Sequence, residues 1–153
     1  MFLLEVAIFF GGMYASLAAI CPAGWYRYGE TCYLPITTLV TWQDASQLCA
    51  DQQAQLALPR SQMQQDAIWG MFLELFHGSV PRNIWIACDD IEREGKWRPC
   101  PLRGDDSAAY ENWKDDQPDD DTDGADCAAM ISGAQGRWGI ASAPRSTLQP
   151  VRF

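Results

Sequence analysis

The reading of this chain turns on Glu111-Asn112-Trp113-Lys114-Asp115-Asp116-Gln117-Pro118-Asp119-Asp120-Asp121-Thr122-Asp123-Gly124-Ala125-Asp126-Cys127. Between Asp105 and Asp126 stand ten of the chain's 20 acidic residues and a single base, Lys114. Carboxylates that dense repel one another unless water or a cation screens them. Pro118 and Gly124 interrupt any regular element, so the stretch reads as a loop. It is either a solvated acidic segment or a cation-binding loop, and the residues around it must decide. Asp119-x-Asp121-x-Asp123-Gly124 matches the first half of an EF-hand loop. Met130 stands at its twelfth position instead of Glu, and Trp113 and Pro118 do not announce an entering helix, so the spacing predicts no true EF-hand.

Outward from the loop, the 153 residues suffice for one domain, and no fixed-period repeat is present. Apolar residues make up 48% of the chain and seven are Trp, which is core-forming material rather than the composition of a disordered chain. The net charge of −9 lacks the basic footprint that phosphate tracking requires, so no nucleic-acid partner is expected. No nucleophile–His–acid set, phosphate-cradling Gly loop or metal triad is present. Asp115 and Asp116 form a carboxylate pair, but an acid–base pair needs one member shielded in a cleft, which a Pro- and Gly-flanked loop does not offer. The chain is therefore read as a non-enzyme.

Met1 to Ile20 is almost wholly apolar, with Glu5 as its one charge, and Ser16 and Ala18 satisfy the small-x-small cleavage rule. Residues 1–19 are expected to be a secretory signal peptide, with a signal anchor as the alternative, and no other stretch is long enough to span a bilayer. Cleavage leaves 134 residues, all six cysteines, an extracellular destination and no membrane partner. Secretion favours disulfides. There is no Cys-x-x-Cys pair and His77 is the only His, which argues against a zinc or thioredoxin-type site.

In the mature chain, Cys21 to Tyr33 reads as a hairpin closed by Cys21 and Cys32, a loop closure worth about 3 kcal/mol on chain entropy. Thr41 caps a helix with Asp44 as its capping-box partner, and Trp42, Ala45, Leu48 and Cys49 share its inner face. Gln55 to Leu58 is a short strand stopped by Pro59. Ser61 caps a second helix with the apolar stripe Ala67, Ile68, Met71, Phe72, Leu75 and Phe76, ended by His77-Gly78. Ile84 to Cys88 is a strand. Asp89 to Lys96 turns the chain and Trp97 to Cys100 returns it, placing Cys88 across from Cys100 as a second bridge. Asp126 to Ile131 is a strand, Gly136 to Gly139 a turn into the last one, and Val151-Arg152-Phe153 ends in mid-pattern.

Cys21-Pro22-x-Gly24-Trp25, the helix Trp42 to Cys49, Trp85-Ile86-Ala87, Glu94-Gly95-x-Trp97, Asn112-Trp113, Gln117-Pro118-Asp119, Asp126-Cys127 and Gly136-x-Trp138 follow one another in an order that resembles the C-type lectin-like domain family. No single motif is specific, but the eight in order are. The resemblance implies one domain over 20–153 with an α+β, C-type lectin-like fold. Two helices would pack on small antiparallel sheets, and a long loop would carry calcium and sugar. It also implies that Cys49 pairs with a cysteine just beyond Phe153, the last strand being cut short. Cys127 would pair with a cysteine where Ala143 stands. The expectation is two bridges, Cys21–Cys32 and Cys88–Cys100, and two free thiols, Cys49 and Cys127.

For the loop, the resemblance implies a primary Ca2+ site drawing on Gln117 and Asp119 around a cis proline peptide, both also contacting sugar. Their Gln-Pro-Asp order resembles the galactose-type members. The other three primary positions fall on Ala125, Gly139 and Ile140, which offer no side-chain oxygen. The family's auxiliary calcium site falls on Asp90, Glu94, Asp120, Ala125 and Asp126, four of them carboxylates, although Glu94-Gly95 also serves as a turn element. Calcium takes six to eight oxygens, so the auxiliary site is the better candidate. The expected function is a secreted, calcium-assisted carbohydrate-binding module for a galactose-containing glycan. The alternative, carried by Ala125, Gly139 and Ile140, is a lectin-like fold without sugar binding that acts in protein recognition or structure.

Overall fold

The computed structural model describes residues 21–80, 82–100, 109–119, 125–141 and 147–152, the last of these by backbone. The expected signal segment 1–19, Asp120, Asp121, Asp123, Gly124 and Ala143 lie outside the described residues.

The N-terminal hairpin forms as its residues require. Strand β1 (Tyr26–Tyr28) pairs antiparallel with β2 (Thr31–Val40), and Cys21–Cys32 closes it with a Cα–Cα distance of 5.6 Å. Helix α1 (Trp42–Asp51) starts at Thr41, whose hydroxyl accepts the Asp44 N–H at 3.1 Å and donates to the Asp44 carboxylate at 2.8 Å. Its inner face buries Ala45 and Cys49. Two indoles fasten this end of the helix to the sheet: Trp42 Nε1 donates to the Ile86 carbonyl at 2.8 Å and Trp85 Nε1 to the Val40 carbonyl at 3.1 Å.

Strand β3 (Gln55–Leu56) is shorter than expected. Ala57 and Leu58 are buried beyond it, and the Ala57 carbonyl instead accepts the Ala87 N–H. Helix α2 (Gln62–Leu75) is capped by Ser61, which accepts the Gln64 N–H, while the Gln64 side chain accepts the Arg60 N–H at 2.8 Å. Ile68, Met71 and Phe72 face the core as the stripe required, but Leu75, in the last turn, is exposed. His77 and Gly78 take left-handed backbone (φ 54° and 93°), and the Gly78 N–H closes on the Leu73 carbonyl at 2.7 Å.

Strand β4 (Ile84–Asp89) is buried on both faces. Ile84, Ile86 and Cys88 join Phe72, Trp97, Trp113 and Trp138 in the larger core, while Trp85 packs with Ala45, Cys49, Leu56, Cys127 and Ala129 in a smaller one under α1. The return after the polar turn is not a strand. A single bridge, Asp89 to Arg98, is made before Pro99, which has no N–H to continue a ladder, yet it suffices to set the Cys88–Cys100 disulfide. Strands β5 (Cys127–Met130) and β6 (Trp138–Ala141) continue antiparallel from β4, so Trp138 belongs to the last hairpin's strand rather than to its turn. Strand β7 (Thr147–Arg152) pairs antiparallel with β2 and β3 and parallel with β4, joining two small sheets into the order β1-β2-β7-β4-β5-β6.

Candidate functional site

The base of the acidic loop is stitched to β6. Trp138 N–H donates to the Asn112 carbonyl at 2.7 Å, and Lys114 N–H to the Trp138 carbonyl at 2.9 Å. Beneath it runs a file of edge-to-face aromatic rings. Trp97 meets Trp113 at 5.6 Å, Trp113 meets Trp138 at 5.7 Å, and Tyr110 meets Trp138 at 5.9 Å. The file is anchored by a residue that sequence reasoning passed over. Gln65, 3% exposed, accepts from Trp138 Nε1 at 2.9 Å and donates to the Gly136 carbonyl at 2.9 Å. Its one sequence signal is position, three before Ile68 and seven before Phe72 on the buried face of α2.

Of the expected primary ligands, Gln117 and Asp119 flank a cis Gln117–Pro118 peptide, as the family resemblance implied. The Gln117 side chain is buried and engaged: its Oε1 accepts the Ile140 N–H at 2.8 Å and its Nε2 donates to the Asp116 carbonyl at 3.2 Å. Asp119 differs, since its Oδ1 is buried with no hydrogen-bond partner among the described residues, the state of an acceptor that suits a cation. Two of the other positions are closed rather than merely without donors. Ala125 is buried, and a Cβ built on Gly139 would lie 2.9 Å from Ile131 Cγ1 and 3.1 Å from Lys114 Cε. One carboxylate and one engaged carboxamide fall far short of six oxygens, so these residues do not fit a tight primary calcium site.

At the expected auxiliary site, the structure brings Asp90 and Asp126 together through the Asp90 N–H and the Asp126 carbonyl at 3.1 Å. Asp90 is 3% exposed, and its Oδ2 accepts the Gly95 N–H at 2.9 Å, which makes it the clasp of the Asp90–Lys96 turn. Glu94 lies exposed on that turn and Asp126 is half-buried. Among the described residues, no group of three His, Cys, Asp or Glu side chains is placed to hold a metal. Beside the turn, a cavity of about 280 Å3 is lined by Asp89, Asp90, Glu92, Lys96, Arg98 and Pro99. Burial pushes the Asp89 carboxyl above its ordinary value, and the neighbouring Asp90 and Glu92 charges push the same way against the Ile91 N–H and Arg98. Glu92 pairs with the Arg98 guanidinium at the rim. Cys49 and Cys127 carry free thiols in the smaller core, and burial pushes each up to about 12.

Sheets, two capped helices and a long loop footed on a Trp-rich core define the C-type lectin fold class. The Lectin C-type domain family matches residues 38–147, and the chain belongs to that family. It is 32% identical over 124 residues to the asialoglycoprotein receptor 2 of Mus musculus, covering 77% of this chain and 37% of that protein. It is 30% identical over 128 residues to the tetranectin of Mus musculus, covering 80% and 59%. The chain thus spans between about a third and three fifths of the length of these relatives. A calcium-independent type II antifreeze protein superposes with a TM-score of 0.71 at 23% identity, over 88% of this chain and 94% of that one. By that family membership the chain is not an enzyme. No helix among the described residues is long and apolar enough to cross a membrane.

Proposed function

We propose that this chain is a secreted recognition module that binds a protein ligand through the lectin fold without calcium at the primary site. The observation that carries this reading is the Gln117 carboxamide held by the Ile140 N–H at 2.8 Å, in a loop whose remaining donor positions are Ala125, Gly139 and Ile140. An amide oxygen spent on the backbone fixes the loop and is not free to serve an ion and a sugar hydroxyl together. That a relative of the same fold is described as calcium-independent is consistent with this mode. Secretion rests on the apolar N-terminal segment and its small-residue cleavage pattern.

A second reading is calcium-assisted binding of a galactose-type glycan, favoured by the orphaned Asp119 Oδ1 and by the Asp90–Asp126 contact. In it, Asp90, Glu94, Asp120 and Asp126 would hold an auxiliary ion, and Gln117 and Asp119 would face the sugar. Two measurements separate the readings. Calcium titration followed by Trp97 and Trp113 fluorescence is expected to give no saturable response up to millimolar metal. Galactose- and mannose-agarose are expected to retain no protein that chelator releases. Chelator-sensitive retention on galactose would overturn the proposal in favour of the second reading.

A further inference from the structure

A second cavity, of about 470 Å3, shares no described residue with the acidic loop. Its wall is apolar: Trp69 and Leu73 from α2, and Val80 beyond the helix end. The Trp69 ring is held in place. A Cβ on Gly136 would fall 2.7 Å from its Cδ2 and 2.8 Å from its Cε3, so the indole sits directly on a bare glycine Cα. Gly136 has φ 80°, so its backbone excludes other residues as well.

The opposite rim is polar and uncharged, formed by Ser79, Ser132 and Gln135. The Ser132 hydroxyl donates to Asn83 Oδ1 at 3.3 Å, which leaves its lone pairs available as acceptors. Gln135 is exposed in left-handed backbone (φ 55°), and its carboxamide makes no hydrogen bond among the described residues.

Among the described residues no ionisable side chain lines the cavity, and the chain as a whole carries a charge of −9, so an anionic occupant is disfavoured and a cationic one finds no partner there. A purely apolar occupant would strip water from Ser132 and Gln135 without replacing it. The chemistry that suits both walls is a neutral ring with C–H bonds on one face and hydroxyls along one edge. C–H bonds would pack on the indole, and the hydroxyls would meet a carboxamide and two serines. We propose that this cavity binds a hexopyranose without calcium, independently of the loop and of the protein-recognition reading above.

The test follows the indole N–H of Trp69 in 1H–15N spectra of the chain, in chelator, during titration with the methyl glycosides of glucose, galactose and mannose. At least one is expected to shift it saturably. Gln135→Gly, which suits the left-handed backbone and so preserves the fold, is expected to weaken that binding about tenfold, the loss of one or two neutral hydrogen bonds. Ser79→Trp, which fills the rim, is expected to abolish it. Absence of a shift with every glycoside up to about 100 mM would overturn the proposal. So would a shift produced only by N-acetylleucine amide, or unchanged affinity in Gln135→Gly.

Discussion

Replacing Gln65 by Leu tests the buried anchor beneath the loop. Leu is close to Gln in volume, so the change removes hydrogen bonds with little change in packing. It strands the Trp138 indole N–H, on a ring with no exposure, and the Gly136 carbonyl, each now paired at 2.9 Å. An orphaned buried group costs about 1–3 kcal/mol, and two give about 4 kcal/mol at mid-range. The apolar side chain returns about 1 kcal/mol through burial, leaving a net loss of about 3 kcal/mol. In a domain of this size that lowers the melting temperature by about 10 °C. Urea unfolding measures the free energy, and near-UV circular dichroism reports the Trp97–Trp113–Trp138 file, whose signal should weaken even where the chain stays folded. A loss under about 0.5 kcal/mol, with the aromatic signal intact, would refute the reasoning and leave ring packing alone as what holds Trp138.

Three further outcomes are expected. Gly139→Asn, which restores an amide at a lost ligand position, should create no calcium response and should destabilise the chain by about 1–3 kcal/mol in urea, because its Cβ enters the space of Ile131 and Lys114. Asp89 has a raised carboxyl, so its contribution to stability is full below the unfolded value and lost as pH rises through the folded one. Asp89→Asn keeps the Oδ1 that accepts from Ile91, and should be more stable than the parent at neutral pH, with the gap closing on acidification in pH-dependent melts. Thiol titration of the 153-residue chain should find nothing reactive in the native state and two thiols after denaturation, since burial holds Cys49 and Cys127 protonated up to about 12.

What was legible in the sequence was local. Thr41 with Asp44, the Ser61 cap, the Cys21–Cys32 hairpin and the His77-Gly78 stop are all settled within a few residues, and each appears where its chemistry put it. Trp85 and Ile86 pointing to opposite cores follows from strand alternation. What escaped depends on partners far along the chain. Nothing near Gln65 announces an indole 73 residues away, nor does Gln117 announce that its oxygen belongs to Ile140, 23 residues on. A Gln in a helix or a loop is ordinarily a solvated residue, and only the fold reveals that each is a fastening. The sequence also showed that Gly139 lacks a ligand oxygen, but not that Ile131 and Lys114 have closed over the place.

β7 is the seam between the β1-β2 ribbon and the β4-β5-β6 sheet, and it follows every other described strand in the chain. A nascent polypeptide therefore holds unmatched edges on β2, β3 and β4 until residues 147–152 clear the ribosome tunnel, and must keep them from pairing with strangers in the meantime. Completion of this domain waits on its last described strand, so the two sheets stay apart through the synthesis of every residue between Val40 and Thr147.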